Sequence, residues 1–276
     1  MRIARDLPSL CAELNRLGRP SLALVPTMGA LHEGHLSLLA AARRQEGVGA
    51  VAASIFVNPL QFGPNEDLAR YPRDEAGDLA KLEAAGCDLA WLPAVEVMYP
   101  PGRATEIEVR GPSEGWEGTV RPGHFRGVAT VCAKLFLQTG AAVAVFGEKD
   151  WQQLQVVRRM VRDLDIPTRI VPCPTVREAD GLAMSSRNRF LSAEERARAP
   201  TLHAAMRRVA AEVGAGVPAA EALAVARAGL AAQGFAVDYL ALVEPETLRE
   251  VSATPARLIA AARLGTVRLL DNMGVG

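Results

Sequence analysis

The sequence lacks the cysteine pattern and the long apolar runs that would assign it to several large protein classes. Its four cysteines, Cys11, Cys87, Cys132 and Cys173, include no pair at C-x-x-C spacing, so neither a disulfide framework nor a zinc site is expected. No apolar run reaches the roughly 20 residues that a membrane-spanning helix requires. The N-terminal stretch M-R-I-A-R-D-L-P-S-L has no sustained apolar segment, which argues against a secretory signal. We therefore expect a cytoplasmic protein without a membrane partner.

An excess of positive charge is also absent. Lys plus Arg and Asp plus Glu each total 31, so the formal net charge is zero. General nucleic-acid binding needs a basic surface that displaces counterions from phosphate, and this chain is not expected to bind nucleic acid. A net charge of zero is still compatible with a local basic pocket that binds one polyphosphate.

Three familiar site signatures are missing as well. The glycines do not fit G-x-G-x-x-G, and no G-x-x-x-x-G-K-[ST] loop occurs, which disfavours dinucleotide binding and P-loop hydrolysis. The zinc-protease helix H-E-x-x-H places its histidines four residues apart. In H-E-G-H, His32 and His35 are three apart, so that type of zinc site is rejected.

What the chain does contain is an alternation of apolar runs and helical segments. A chain of 276 residues, nearly half of them apolar, suits one large and one small domain. Strands are predicted at 21–27, 48–57, 88–92, 143–146 and 168–176, and helices at 34–45, 73–85, 127–138 and 150–164. This rhythm predicts a Rossmann-like open parallel sheet with helices on both faces, over residues 1–176.

After residue 176 the pattern of predicted elements changes, and residues 177–276 are predicted to form a smaller α+β domain. Helices are predicted at 192–213 and 218–233, and strands at 237–243, 258–264 and 266–270. Ser192 and Glu195 form the pattern of a capping box at the start of the first helix. In the first domain, residues 110–123 are rich in Gly and Pro and predict a long loop of the kind that is often functional or mobile.

Polar clusters follow three of the predicted strands. In V-P-T-M-G-A-L-H-E-G-H, His32 and His35 share one helix face, and the backbone amides at the helix start are a potential anion site; alternatively, the two rings only cap and pack. Asn58 and Gln61 follow the next strand, and such neutral amides can hold a small substrate's hydroxyl and carboxylate. Their alternative is simple turn chemistry. Because parallel strands end at one edge, the clusters predict a shared site.

Two further clusters offer positive charge. In F-G-E-K-D-W-Q-Q-L, Lys149 lies beside a helix N-terminus, as suits a phosphate, although a solvated lysine is the default interpretation. The loop M-S-S-R offers two hydroxyls and the guanidinium of Arg187, which can bind a triphosphate through several donors. By itself this loop could equally be an interdomain linker.

Together these segments resemble the pantothenate synthetase (pantoate–β-alanine ligase) family. P-T-M-G-A-L-H-E-G-H is similar to the HIGH-type signature of the wider nucleotidyltransferase superfamily, and M-S-S-R-N to its KMSKS loop. F-V-N-P-L-Q-F and E-D-L-A-R-Y-P-R resemble the family's own substrate segment. The resemblance spans nearly the whole chain, and D-N-M near the end belongs to it.

The resemblance implies an ATP-dependent condensation of (R)-pantoate with β-alanine to pantothenate, AMP and pyrophosphate through a pantoyl-adenylate. ATP with Mg²⁺ would be a substrate, no protein metal site or tightly bound cofactor is implied, and the family is typically homodimeric. The implied catalytic residues are His35, His32, Lys149 and Arg187. The implied ATP-binding residues are Met28, Gly29, Ala30, Leu31, His32, Glu33, Gly34, His35, Gly147, Glu148, Lys149, Asp150, Val176, Met184, Ser185, Ser186 and Arg187. Gln61, Gln153 and Asn58 would bind substrate.

Two other functions remain as alternatives. A plain adenylyltransferase would move AMP onto a phosphate, but it would want a basic pocket where this chain has Asn58 and Gln61. A nucleotide-binding regulatory module would bind ATP without turnover and would have no need of Gln61 and Gln153.

Overall fold

The computed structural model describes residues 1–18, 21–64 and 66–276, which group into two compact units. The first unit comprises Met1–Gly147 and Gln153–Cys173, and the second comprises Glu148–Gln152 and Pro174–Gly276. Residues Glu148–Gln152 thus belong to the second unit, and the chain then returns to the first unit. Everything after Cys173 lies in the second unit. The domain boundary predicted after residue 176 stays a prediction. In the described part of the chain, no helix combines the length and apolar character needed to cross a membrane.

A parallel sheet forms the centre of the first unit. Its strands are β1 (Arg2–Ala4), β2 (Leu22–Thr27), β3 (Ala50–Ile55), β4 (Leu89–Trp91), β5 (Val143–Gly147) and β6 (Arg169–Cys173). They lie in the order β1-β4-β3-β2-β5-β6, and every pairing is parallel. The predicted open parallel α/β sheet is confirmed. Sequence analysis missed the three-residue β1 and the helix that follows it.

Helices connect these strands. They are α1 (Leu7–Arg16), α2 (Glu33–Arg43), α3 (Glu75–Ala84), α4 (Val95–Met98), α5 (Trp116–Val120), α6 (His124–Thr139) and α7 (Trp151–Asp163). Short 3-10 turns cover Pro59–Gln61, Leu68–Arg70 and Glu148–Asp150. Helix α5 lies within residues 110–123, so the segment predicted as a long loop contains a five-residue helix.

The strand order of the sheet reverses at β2, and open α/β sheets usually bind ligands at such a reversal. The chain runs from β2 to β3 and β4 on one side, then returns to β5 on the other side of β2. Open α/β sheets bind ligands at the carboxyl ends of their strands at such a reversal. In β2 every residue except Pro26 is buried, which fits a central strand covered on both faces. The segment that follows Thr27 is therefore the expected site.

The second unit is a small α+β assembly, as predicted. It contains α8 (Ala193–Arg198), α9 (Thr201–Gly214), α10 (Ala219–Ala232), β7 (Phe235–Val243), β8 (Ala256–Leu264) and β9 (Val267–Val275), with a 3-10 turn at Ser186–Phe190. The strands form an antiparallel sheet in the order β7-β8-β9. Buried side chains of α9 and α10, including Met206 and Leu230, pack with those of β7 and β8 in one apolar core.

The predicted single helix over 192–213 is wrong, because the chain forms α8 and α9 with a break between them. Pro200 lies at the break; proline has no backbone N–H and its ring crowds the preceding turn, so a helix interior does not accommodate it. The predicted capping box is confirmed. The Ser192 side chain accepts from the Glu195 N–H, and the Glu195 carboxylate accepts from the Ser192 N–H.

Candidate active site

The segment after β2 is held in place by helix α3. The backbone N–H groups of Ala30 and Leu31 donate to the two carboxylate oxygens of Asp78, each at 2.7 Å. Lys81, one turn further along α3, donates to the Leu31 carbonyl at 2.8 Å. Asp78 is buried, with 1% exposure. The amides of Ala30 and Leu31 are therefore bound to a carboxylate of the protein itself, and the anion site expected at the start of helix α2 stays a prediction.

This close approach of Asp78 explains the glycine before Ala30. Gly29 has a φ of +82°, which side-chain-bearing residues adopt only at a cost. A Cβ placed there would lie 2.9 Å from a carboxylate oxygen of Asp78. Ala30 and Leu31 are themselves buried at 2% exposure. Of the residues that resemblance assigns to ATP, these two have their side chains in the interior and their amides bound to Asp78.

The two histidines begin helix α2 as a reciprocal cap. The Nδ1 atom of His32 accepts from the Gly34 N–H at 3.1 Å, and the Nδ1 atom of His35 accepts from the His32 N–H at 3.3 Å. The ring centroids lie 4.1 Å apart. A neutral ring that accepts through Nδ1 carries its proton on Nε2. Capping and chemistry are therefore compatible, because the cap fixes both rings as Nε2–H donors.

Asn58 is surrounded by partners inside the protein. Its Oδ1 atom accepts from the Tyr99 hydroxyl at 2.7 Å and the Leu60 N–H at 3.2 Å. Its Nδ2 atom donates to Gln61 Oε1 at 3.0 Å and to the Gly127 carbonyl at 3.1 Å. An asparagine amide offers two donors and two acceptor sites, so all four are used. Asn58 is 1% exposed and binds the side chain of Gln61, and its own contact with substrate stays a prediction.

Gln61 joins the first two sequence clusters. Its Nε2 atom donates to the sulfur of Met28 at 3.0 Å, so the segment after β2 meets the turn after β3. The sequence-based expectation that these two clusters lie together is met by this contact.

Behind Gln61 lies a charged network that sequence analysis missed. The Gln61 carbonyl lies 2.9 Å from His124 Nδ1 and accepts from Arg121 at 3.2 Å. Arg121 also binds Glu66 through two hydrogen bonds of 2.8 and 2.7 Å. Burial raises the pKa of Glu66, but the Arg121 hydrogen bond and charge outweigh it and hold that pKa below its usual value. Burial, with Arg121 beside the ring, lowers the pKa of His124 to about 4, so His124 is a neutral donor at pH 7.

Gly127 lets helix α6 approach the Pro59–Gln61 turn, and we expect its replacement by alanine to be costly. A Cβ at Gly127 would lie 2.3 Å from the Leu60 carbonyl oxygen and 2.7 Å from the Gln61 nitrogen. Overpacking of this kind costs about 1–3 kcal/mol, so urea denaturation of Gly127→Ala should show that loss.

Gly229→Ala is the matched control, because Gly229 also lies inside a helix and a Cβ there meets nothing within 4 Å. The control should gain about 0.5–1 kcal/mol, the usual advantage of alanine over glycine in a helix. Equal effects of the two substitutions would contradict the close approach.

The remaining predicted residues lie mainly in the second unit. Lys149 follows β5 in the Glu148–Asp150 turn, and it lines a small cavity together with Ser185 and Asn188. Ser185 caps the Ser186–Phe190 turn by accepting from the Arg187 N–H at 3.3 Å. The third and fourth sequence clusters are thus brought together.

Val176 and Met184 pair through the Met184 N–H and the Val176 carbonyl at 3.0 Å, which places the start of the M-S-S-R loop beside Val176. Gln153 belongs to the first unit and lies partly buried in the first turn of α7.

Metal-binding side chains do not cluster in the described residues. Within 1–18, 21–64 and 66–276, no group of three or more His, Cys, Asp or Glu side chains is arranged to hold a metal ion. Mg²⁺ commonly binds through substrate phosphates and keeps several waters instead of using an all-protein cage.

Comparison with known proteins identifies the family. The family profile described as Pantoate-beta-alanine ligase matches residues 2–274. A pantothenate synthetase of Acidiphilium cryptum is 61% identical over the whole of both chains. The chain belongs to the pantoate–β-alanine ligase family. A pantothenate synthetase of Granulibacter bethesdensis is 56% identical, and the match covers 99% of this chain and 97% of that one.

Solved structures of pantoate–β-alanine ligases share this fold. The pantothenate synthetase of Thermus thermophilus is 52% identical with a TM-score of 0.94, covering 100% of this chain and 99% of that one. The enzyme of Francisella tularensis, complexed with β-γ ATP and β-alanine, is 32% identical with a TM-score of 0.83 and covers 99% and 97%. This pantoate–β-alanine ligase family member is therefore an enzyme of the ligase class that makes pantothenate, and the resemblance inferred from its sequence is confirmed.

Proposed function

We propose that this ligase joins (R)-pantoate to β-alanine through a pantoyl-adenylate, with AMP and pyrophosphate as the other products. The observation that carries the proposal is the reciprocal cap of His32 and His35, which fixes two Nε2–H donors directly after β2. That position is the reversal of the strand order, where a nucleotide is expected.

In the first step, a pantoate carboxylate oxygen attacks the α-phosphorus of ATP in line and pyrophosphate leaves. Negative charge grows on the oxygen between the α- and β-phosphorus, and His35 and His32 stabilise it as hydrogen-bond donors. Lys149 and Arg187, with the hydroxyls of Ser185 and Ser186, bind the leaving phosphates. A preorganised donor of this kind stabilises the transition state by about 3–4 kcal/mol. Because the pantoate carboxylate is itself the nucleophile, no protein nucleophile is required.

In the second step, the β-alanine amine attacks the carbonyl carbon of the adenylate. The new C–N bond forms, the C–O bond to AMP breaks, and the amine loses a proton. Gln61 and Gln153 hold pantoate through neutral amides, and Gln61 also contacts the incoming β-alanine. A neutral amide positions the carboxylate without the ion pair that would reduce its nucleophilicity. The buried position of Gln61, at 9% exposure, and its link to Asn58 support this role.

ATP enters as Mg·ATP, and its contacts extend over four segments. Beyond the residues already named, the proposed contacts come from Met28, Gly29, Glu33, Gly34, Gly147, Glu148, Asp150, Val176 and Met184. The complex of the Francisella tularensis relative supports ATP and β-alanine as substrates. We further propose that the enzyme acts as a cytoplasmic homodimer, in line with what the resemblance implies.

An isotope experiment tests the adenylate directly. Pantoate labelled with ¹⁸O in its carboxylate should transfer one label to AMP, because the attacking oxygen stays on phosphorus when the amine displaces AMP. Mass spectrometry of the AMP reads this out. Unlabelled AMP, or label in inorganic phosphate, would exclude an adenylate.

Alanine substitution of Gln61 or Gln153 should weaken pantoate more than ATP. Loss of one hydrogen bond to a carboxylate costs about 1.5–3 kcal/mol, which corresponds to an increase in the pantoate KM of about 10–150-fold. The ATP KM should stay within about threefold. Steady-state kinetics with each substrate varied in turn give both values.

Gln45→Ala provides the control for these variants, because Gln45 lies beyond the C-terminal end of α2 and bonds to the Ala41 carbonyl. It should leave both KM values unchanged. Equal losses for pantoate and ATP in the Gln61 variant would contradict the assigned role.

A further inference from the structure

The side chain of Asn272 holds the backbone of the turn that carries Lys149. Asn272 lies on β9 and is buried, with 3% exposure. Its Nδ2 atom donates to the Glu148 carbonyl and to the Lys149 carbonyl, both at 2.8 Å. An amide nitrogen has two hydrogens, and both are used on successive carbonyls of one 3-10 turn. All these residues belong to the second unit.

The side-chain oxygen of Asn272 is linked through Arg257 to the side chains of the turn. Asn272 Oδ1 accepts from Arg257 Nε at 2.7 Å, and Arg257 Nη2 binds the Glu148 carboxylate at 3.1 Å. The Arg257 guanidinium lies 3.4 Å from the centre of the Trp151 ring, an arrangement that favours a cation. The Trp151 indole N–H donates to the Pro245 carbonyl at 2.7 Å. The turn is thus fixed through its backbone, through Glu148 and through the residue that follows it.

The residue before Asn272 fixes strand β9 itself. The Asp271 carboxylate binds both terminal nitrogens of Arg177, at 2.7 and 2.8 Å, and lies 3.3 Å from His203 Nδ1. Burial raises the pKa of Asp271, but the contacts with His203 and Arg177 outweigh burial and keep that pKa below its usual value. Asp271 also lines the cavity that Lys149 faces. Asp271 therefore holds strand β9 in place, and the next residue, Asn272, binds the turn that carries Lys149.

We propose that Asn272 is a positioning residue that sets the placement of Lys149 for ATP. A lysine side chain has four rotatable bonds and loses considerable freedom when it is held in place, so a fixed main chain is what confines its ammonium group to one region. The inference rests on the proposed phosphate-binding role of Lys149. It assigns to the D-N-M segment near the C-terminus a part in the first step of the reaction.

The substitution Asn272→Asp tests this most sharply. The aspartate keeps the shape and an acceptor for Arg257, but it replaces two donors with an oxygen that faces two carbonyl oxygens. We expect the ATP KM to rise about tenfold and kcat of pyrophosphate release to fall about tenfold, while the pantoate KM stays within twofold. Asn272→Ala, which removes the amide without adding a charge, should show the same split and serves if the aspartate variant does not fold.

Two comparisons separate positioning from general stability. Val275→Ala removes buried methyl groups from the same strand; it should lower Tm and leave the ATP KM unchanged. In the Lys149→Ala background, an Asn272 substitution should change the ATP parameters less than threefold, because coupled residues are not additive.

Additive effects in that double variant, or a wild-type ATP KM and kcat in both Asn272 variants, would overturn the proposal. A Lys149→Ala enzyme with normal ATP kinetics would instead refute the role of Lys149, and so identifies a failure of the proposed function itself.

Discussion

Replacing His35 with alanine is expected to lower pantoate-dependent pyrophosphate release by about 10²–10³-fold. That is the usual loss when one preorganised donor to a developing oxyanion is removed. His35 also accepts the His32 N–H through Nδ1, so alanine removes a cap contact as well. Loss of a helix cap costs about 0.5–2 kcal/mol, which is too little to unfold a typical domain. Pyrophosphate release and thermal unfolding, measured on the same sample, separate the two effects.

His35→Asn is the matched variant for the cap. Its side-chain oxygen can accept the His32 N–H, as a capping residue requires, but it has no group at the position of Nε2. We expect the asparagine variant to keep more of the wild-type Tm than the alanine variant and to be as defective in pyrophosphate release. Near-normal pyrophosphate release in either variant would contradict the proposed role of His35 as a hydrogen-bond donor in the first step.

Removal of the Asp78 carboxylate is expected to have the largest effect on stability. Asp78→Ala leaves the buried N–H groups of Ala30 and Leu31 without their acceptor. Each unsatisfied buried group costs about 1–3 kcal/mol, so the free energy of unfolding should fall by about 2–6 kcal/mol. The segment from Met28 to His35 should also lose its fixed conformation, and the ATP KM should rise. Urea denaturation and steady-state kinetics measure the two consequences.

Glu83→Ala is the control for Asp78, since Glu83 lies on the same helix and its side chain is 69% exposed. Its contact with the terminal amine of Met1 is a surface ion pair, which is worth about 0–1 kcal/mol. Asp78→Asn should fall between the two, because it keeps one acceptor oxygen and sets an N–H against another N–H. A loss below about 1 kcal/mol for Asp78→Ala would show that α3 does not hold this segment.

Local sequence patterns predicted the parts of the fold that depend on local interactions. The central strands are continuous apolar runs, and the helices between them have clear periodicity, so the parallel sheet followed from the sequence. The edge strand β1 did not, because three residues carry little pattern and their partner, β4, lies far along the chain. The break at Pro200 was predictable in principle. The Ala- and Arg-rich periodicity on both sides of it suggested one helix instead.

The candidate site shows the same division. His32, His35, Asn58, Gln61 and Lys149 were recognisable because they follow strands in polar clusters. The residues that hold them were missed, since each is distant in sequence and unremarkable by itself. Asp78 lies 48 positions from Ala30, and Asn272 lies 123 positions from Lys149. Only the folded chain shows that Asp78 binds the amides of Ala30 and Leu31, and that the side chain of Asn58 is fully engaged inside the protein.

The most direct test of the two-step account is ATP–pyrophosphate exchange in the absence of β-alanine. If pantoate and ATP form a discrete adenylate, labelled pyrophosphate should enter ATP whenever pantoate and Mg²⁺ are present. Exchange should stop when pantoate is omitted or replaced by a phosphate acceptor, and addition of β-alanine should convert the adenylate into pantothenate and AMP. Exchange that requires β-alanine, or that proceeds without pantoate, would contradict the account.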